Sequence, residues 1–468
     1  MSVPGRMEMA ALSLPTLVYA GFELGRKSFL PALLLGGAGL GMMQTGMILT
    51  ILGAWSIAVE VLFGMICDLA PDPRRRRGFW VMAGTGLQLL AGLALWLIPA
   101  SGRSASMWLA CLLTLTGGWV LSNLAHGAWA LERVSGVAGR ARVFGLRTQF
   151  GVAGSVLFAL VVLFGQRWWP GSAPDPFYLI LALTLPGAVL AHGLLIWQVK
   201  ERGPALVEQA GRSVAGSARL HLANAVKPFQ VCLASPADRL LALLFLLVGA
   251  HMALMGSSLL LVIHHRLGLS AWSTAAILVQ AVAAGVGVAV AQRFLRSHGQ
   301  GASPLRIMVV VFAANLALGL SLPLLPPGQV VSAMAWVMGS GATMAVDFTL
   351  LRVLLGQRLD REALRDGGAP AAAFYAGFHL PFNVGATLAV AMLFHGLAWM
   401  GADLGSARQG VHGGLVLVWL TGGLAAALSA LAVVAAMMLG QALTAEDDSG
   451  TSRQNLNIRI STTKRRVI

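Results

Sequence analysis

ILGAWSIAVEVLFGMICDLAPDPRRRRG, residues 51–78, begins with an apolar segment that carries one acid, Glu60, and reaches four consecutive arginines before its last residue, Gly78. Apolar sequence that ends in a basic cluster is typical of a membrane helix where it reaches the cytoplasm. An acid inside such a helix is energetically costly unless it faces other protein or water. The stretch therefore predicts a membrane protein and makes Glu60 a candidate functional residue.

The composition of the whole chain agrees with this prediction. Of 468 residues, 57% are hydrophobic and only 11% are charged, whereas soluble proteins have about 25% charged residues. The net charge of +15 is spread over short loops, so we expect contact with an anionic lipid bilayer and no nucleic-acid partner. The sequence contains no metal-ligand pattern, phosphate loop or nucleophile elbow. We therefore expect neither an enzyme nor a bound cofactor or metal.

Twelve apolar segments of about 20 residues are each long enough to cross a bilayer. They are residues 10–34, 39–66, 79–99, 106–130, 145–165, 177–199, 239–264, 270–293, 305–324, 329–355, 370–397 and 411–440. The sequence thus predicts an all-α membrane protein with 12 transmembrane helices in two six-helix bundles, at 1–199 and 239–440. Residues 200–238 form a linker, in which 219–231 is either a surface helix or flexible chain. A polar tail at 441–468 is expected to be disordered.

Basic residues are concentrated in every second loop. Clusters follow segments 2, 4, 6, 8, 10 and 12, whereas each of the other loops carries at most one arginine. Basic loops remain on the cytoplasmic side of a membrane. We therefore expect a multi-pass protein of a bacterial-type cytoplasmic (inner) membrane, with both termini and the linker in the cytoplasm.

The six-plus-six pattern with a long connector resembles the major facilitator superfamily, in which two halves rock around a site near the bilayer midplane. The sequence after segment 2 resembles the signature of that superfamily, a glycine and an aspartate followed by basic residues. The matching residues are Gly64, Asp68, Arg74, Arg75, Arg76 and Arg77. The resemblance implies that Asp68 and the arginines form a gate on the cytoplasmic side. Alternatively, the arginines only determine topology.

Three further stretches resemble the glycoside-pentoside-hexuronide:cation symporters. They are residues 55–64, 129–147 and 374–385. By this resemblance, Glu23 and Glu60 stand near the acids of the family's first and second helices. Ser56 and Asn383 stand where the family carries an acid and a lysine. With fewer acids to bind sodium, the expected coupling ion is a proton.

Three acids within the apolar segments each allow two interpretations. Glu23 shares a helix face with Arg26 and Lys27, so it is either a substrate or cation ligand or part of a structural ion pair. Glu60 has no base within four residues; it either carries a proton or makes a packing hydrogen bond. For Asp347, an ion pair with Arg352 or Arg358 is favoured over a functional role in the second half.

Other polar and aromatic residues could line a central cavity. Amides and aromatic rings suit hydroxyl-rich solutes, and histidine can titrate near neutrality. The candidates are Trp55, Trp129, Arg147, Gln149, His379 and Asn383. Ordinary structural roles, such as an interfacial tryptophan, are the alternative for each.

The resemblance implies a monomeric, proton-coupled secondary transporter of a small polar solute, such as a glycoside or related metabolite. Two alternatives are open. The first is a carrier of lysophospholipids or other amphiphiles, because the cavity is poor in charge. The second is a membrane assembly factor that has this fold and transports nothing.

Overall fold

A computed structural model gives the fold. It describes residues 5–66, 76–98, 102, 104–133, 137–168, 175–201, 233–297, 304–366, 371–402 and 410–465. The proposed surface helix at 219–231 lies outside these residues.

Twelve long helices and no strand occur in the described part of the chain. The helices are α1 (Arg6–Leu24), α2 (Met42–Ile66), α3 (Arg76–Leu97), α4 (Ala105–Arg133), α5 (Val137–Trp168), α6 (Pro176–Gln198), α7 (Pro236–Leu261), α8 (Ser273–Ser297), α9 (Pro304–Ser321), α10 (Val330–Asp366), α11 (Ala371–Trp399) and α12 (Gly410–Arg465). Turns of π-helix extend α1 at Gly25–Phe29 and Leu33–Gly37, and α7 at Val262–Arg266.

Eleven of these helices, α2 to α12, contain stretches long and apolar enough to cross a membrane. The remaining helix, α1, carries Glu8 and Glu23 in its 19 residues and continues through the π-helical turns. The predicted all-α membrane fold is confirmed. One boundary is corrected: α12 continues as helix to Arg465, where the sequence predicted a disordered tail, and Glu446 attaches the start of this segment to α10 through Arg358.

Successive helices run in opposite directions, so the helix ends lie at two faces. We call the face that holds Arg6, Ile66, Arg133 and Arg358 the terminal face, and the opposite one the distal face. The largest hydrophobic core contains residues of both halves, such as Leu34 in the π-helical extension of α1 and Leu397 of α11, and extends to the distal face. Towards the terminal face each half has a separate core.

Both halves are built on the same close approach of two helices. Gly154 of α5 lies against the backbone of Leu17 in α1, and Gly385 of α11 lies against the backbone of Leu246 in α7. At both positions, a Cβ atom would meet a carbonyl oxygen. The missing side chain is what allows each pair of backbones to meet.

The halves also repeat an ion pair at the terminal face. Glu8 of α1 bonds Arg133 at the end of α4 at 2.5 Å. Asp238 of α7 bonds Arg358 of α10 at 2.8 Å, and Glu446 of α12 joins it at 2.5 Å. These pairs connect the first helix to the fourth in each half.

Replacing Gly385 with alanine is expected to lower the melting temperature of the purified protein. The new Cβ would force α7 and α11 apart, and such overpacking costs about 1–3 kcal/mol. The matched control is Gly86→Ala in α3, where a Cβ meets nothing within 4 Å. A thermal melt in detergent that gave equal effects for the two variants would contradict this packing.

Replacing Arg358 with methionine should destabilise the second half strongly. It leaves Asp238, whose side chain is 4% exposed, buried without its counter-charge, and breaking such a pair costs about 3–5 kcal/mol. The neighbouring Arg239 is exposed, so Arg239→Met removes the same charge and should have little effect. Adding Asp238→Asn to the Arg358→Met variant should recover part of the lost melting temperature.

Candidate functional site

The two halves meet where α2 packs against α11. Gly46 and Gly53 of α2 face Phe394 and Thr387 of α11 so closely that a Cβ would clash at either glycine. Glu60 follows Gly53 by seven residues, as Gly53 follows Gly46, so all three lie on one face of α2. The seven-residue spacing is therefore a signal in the sequence that Glu60, like the two glycines, faces the other half.

Glu60 reaches two predicted site residues on α11. The Asn383 Nδ2 donates to the Glu60 Oε2 at 2.6 Å, and the His379 Nδ1 lies 3.3 Å from the Glu60 Oε1. The same histidine nitrogen lies 3.2 Å from the Asn383 Nδ2. The side chains of Glu60 and His379 are 22% and 24% exposed. We call Glu60, His379 and Asn383 the interface cluster.

The His379 ring can bond either of the other two members of the interface cluster, depending on its tautomer. With its hydrogen on Nε2, the His379 Nδ1 can accept from Asn383. With its hydrogen on Nδ1, the ring donates to the Glu60 Oε1 instead. Both partners of the Glu60 carboxylate thus come from the other half of the protein.

An aromatic chain extends from the interface cluster to α10. The His379 ring stacks on Phe382 with centroids 5.4 Å apart, and Phe382 lies 4.9 Å from Phe348. The guanidinium of Arg352 lies 4.1 Å from the centre of the Phe348 ring. No sequence pattern connects Arg352 to this site, because the chain of contacts crosses between two helices.

Asp347 does not pair with Arg352 or Arg358, and that prediction was wrong. Its partner is Asn315 of α9, whose Nδ2 lies 2.5 Å from the Asp347 Oδ2. Five residues turn a helix by about 500°, so Arg352 points to a different side of α10. Arg358 lies on the same side but three turns away, where it bonds Asp238.

Glu23 pairs with both of its basic neighbours. Its carboxylate lies 3.1 Å from Arg26 and also contacts Lys27. The guanidinium of Arg26 lies 5.8 Å from the centre of the Trp119 ring. The two cations are thus neutralised in part by an acid one turn earlier on the same helix.

Arg147 lies in a polar group of the first half with His126. Its Nε donates to Thr16 at 3.3 Å and its Nη2 lies 3.4 Å from the His126 Nδ1. The other ring nitrogen of His126 lies 2.8 Å from the carbonyl oxygen of Leu12, which can only accept. His126 therefore donates from Nε2 and accepts from Arg147 at Nδ1 as a neutral ring.

A second histidine of the first half, His192, joins three helices. Thr85 of α3 donates to the Val81 carbonyl at 2.8 Å, so its oxygen accepts from the His192 Nδ1 at 2.7 Å. The other nitrogen then accepts from the Tyr19 hydroxyl at 2.8 Å. The sequence did not identify this network, because its members are far apart along the chain.

The remaining cavity candidates occupy different surroundings. Trp55 is 38% exposed, and its Nε1 donates to the Leu113 carbonyl of α4 at 2.9 Å. Gln149 is exposed on α5. Trp129 is only 2% exposed and packs in the core of the first half near the terminal face. The structure therefore does not bring these three residues together with the interface cluster.

The predicted gate is described only in part. Gly64 lies in the last turn of α2 and Arg76 begins α3, whereas Asp68, Arg74 and Arg75 lie outside the described residues. Arg77 is buried, and its backbone N–H and that of Gly78 donate to the Glu201 carboxylate at 3.0 and 2.7 Å. An acid at a helix N-terminus is stabilising, and Glu201 is a terminal-face residue that the sequence did not single out.

The family model described as MFS/sugar transport protein matches residues 12–440. The chain belongs to this family. It is therefore a multi-pass membrane protein of the major facilitator type and not an enzyme. A comparison with curated proteins matches none of them.

Solved structures of major facilitator transporters share the fold at low sequence identity. The nucleoside transporter NupG is 10% identical, with a TM-score of 0.62 over 94% of this chain and 99% of its own. A proton-dependent oligopeptide transporter is 13% identical, with a TM-score of 0.64 over 94% and 98%. A D-xylose-proton symporter is 14% identical, with a TM-score of 0.60 over 91% and 96%.

Neutralising Glu23 is expected to destabilise the protein more than neutralising Glu60. Glu23→Gln leaves Arg26 and Lys27 without their carboxylate, and a lost hydrogen bond to a charged group costs about 1.5–3 kcal/mol. Glu60→Gln keeps an oxygen that can accept from Asn383. Thermal melts in the same detergent measure the difference, and a larger loss for Glu60→Gln would contradict this assignment.

Proposed function

We propose that this family member is a proton-coupled secondary transporter that moves a small polar solute of the glycoside type by alternating access. The observation that carries the proposal is the interface cluster, in which Glu60 of the first half takes both of its partners from the second half. The contacts of a residue in this position form or break as the distance between the halves changes. The family description and the fold support transport in general.

The proposed proton coupling follows from the hydrogen-bond partners that an ionised Glu60 carboxylate requires. An ionised Glu60 requires the Asn383 donor and the His379 ring, because a charge without partners in this setting is costly. A protonated Glu60 can leave them at a smaller cost. Proton binding therefore favours separation of α2 from α11, and proton release favours their contact.

The solute would bind near the interface cluster, between the halves. Asn383 can bond hydroxyl groups of a solute when Glu60 releases it, because an amide both donates and accepts. We place the terminal face in the cytoplasm of the cell, because the basic loops lie there.

Glu60→Gln should abolish proton-driven accumulation and retain exchange. Purified protein in liposomes would be tested with a panel of labelled sugars, glycosides and organic acids, with and without an imposed pH gradient. The variant cannot release a proton from this position, so uptake against a gradient should fall to the level of empty liposomes. Exchange of internal for external solute needs no net proton movement and should remain.

The matched control for this experiment is Thr387→Val. Thr387 lies one turn from Asn383 on α11, and its hydroxyl bonds the carbonyl of its own helix at 2.9 Å. Its accumulation should resemble that of the wild type. Undiminished accumulation in Glu60→Gln would contradict the coupling role, and transfer of lysolipid without uptake of any polar solute would contradict the substrate class.

A further inference from the structure

The second half contains a buried acid–amide pair that lies apart from the interface cluster. Asp347 of α10 is 1% exposed and Asn315 of α9 is 2% exposed. Their single hydrogen bond, 2.5 Å long, joins the Asn315 Nδ2 to the Asp347 Oδ2. The pair fixes α9 to α10 in the membrane interior.

No charged side chain in the described part of the chain bonds Asp347. On the helices around it, the charged or titratable residues whose side chains the structure describes are Asp238, Arg239, His251, Arg293, Arg306, Arg352, Arg358, His379 and His395. Arg358 is held by Asp238, and His379 by the interface cluster. Arg239, Arg293 and Arg306 are exposed. An ionised Asp347 would therefore be a buried charge without a counter-charge.

Each member of the pair has one oxygen without a hydrogen-bond partner. These are the Asp347 Oδ1 and the Asn315 Oδ1, and both are inaccessible to solvent. A buried polar group without a hydrogen-bond partner destabilises the folded protein. An ionised carboxylate only accepts, so it cannot satisfy the amide oxygen, whereas a protonated carboxyl donates as well. A single added proton supplies the donor that both oxygens lack.

The first half has a neutral polar pair at the corresponding position. Gln88 of α3 donates to the Ser122 hydroxyl of α4 at 3.1 Å. Ser122 precedes Arg133 by eleven residues, and Asp347 precedes Arg358 by the same number. Because an amide and a hydroxyl suffice to join these helices in the first half, the acid of the second half is not required by packing alone.

We propose that Asp347 and Asn315 form a second proton-binding site, in which the carboxyl group holds a proton at Oδ1 and donates it to the Asn315 Oδ1. The loaded pair makes two hydrogen bonds between α9 and α10. Loss of the proton leaves an unpaired charge in a buried site, which is strongly unfavourable. Release of the proton therefore requires α9 and α10 to separate or water to enter between them. This site does not depend on the role proposed for Glu60.

Infrared spectroscopy of the purified protein tests the proposal directly. A protonated carboxyl has a carbonyl stretch that is distinct from the bands of carboxylates and amides. The difference spectrum of wild type minus Asp347→Asn should contain this band at neutral and mildly alkaline pH. Glu60→Gln should retain the band, and Asn315→Leu should shift it, because its hydrogen bond to the amide is lost. Absence of the band from the wild-type difference spectrum overturns the proposal.

Thermal melts provide a second, independent test. Asp347→Asn should melt close to the wild type, because two amides can form the same pair of hydrogen bonds, whereas Asp347→Leu should melt lower. A melting temperature of the wild type that rises with sodium chloride but not with potassium chloride, with the rise lost in Asp347→Asn, would indicate a bound sodium ion. That result would overturn the assignment to a proton, as would a large loss of stability in folded Asp347→Asn.

Discussion

Water is absent from the bilayer core, so the polar side chains of these helices must find partners inside the protein. Five acids of the described helices do so within their own half: Glu8, Glu23, Asp238, Asp347 and Glu446. Glu60 differs because both of its partners come from the other half. Its solvation therefore depends on the arrangement of the halves, and the stability of that arrangement depends on the charge of Glu60.

The two halves share a framework and differ in detail. The same glycine contact and the same terminal ion pair occur in each, which indicates that these features serve the packing of a six-helix unit. Differences between the halves then mark residues that packing does not require. The carboxyl group of Asp347 occupies the position in the second half that corresponds to the hydroxyl group of Ser122 in the first half. Because a neutral pair suffices in the first half, packing alone does not require the acid in the second half.

The sequence predicted features that depend on local spacing and missed those that depend on tertiary contact. Hydropathy predicted each of the twelve long helices in the described part of the chain. The partners of Glu23 lie three and four positions away on its own helix, as their spacing predicts. The partner Asn383 of Glu60 is 323 residues distant, so no local pattern could name it, although it was a candidate by resemblance. Arg352 and Arg358 are near Asp347 in the sequence, but Arg352 points to another side of α10 and Arg358 lies three turns away, so the partner comes from α9 instead.

The two acids respond to different movements. Glu60 is part-exposed at the contact of α2 with α11, so a movement of one half against the other changes its partners while each half remains intact. Asp347 is sealed between α9 and α10, so rigid movement of the halves leaves its surroundings unchanged. If both bind protons as proposed, rocking of the halves controls the proton at Glu60, whereas the proton at Asp347 exchanges only when the second half itself deforms. A rigid-body cycle would therefore carry one proton at Glu60 and retain the other at Asp347.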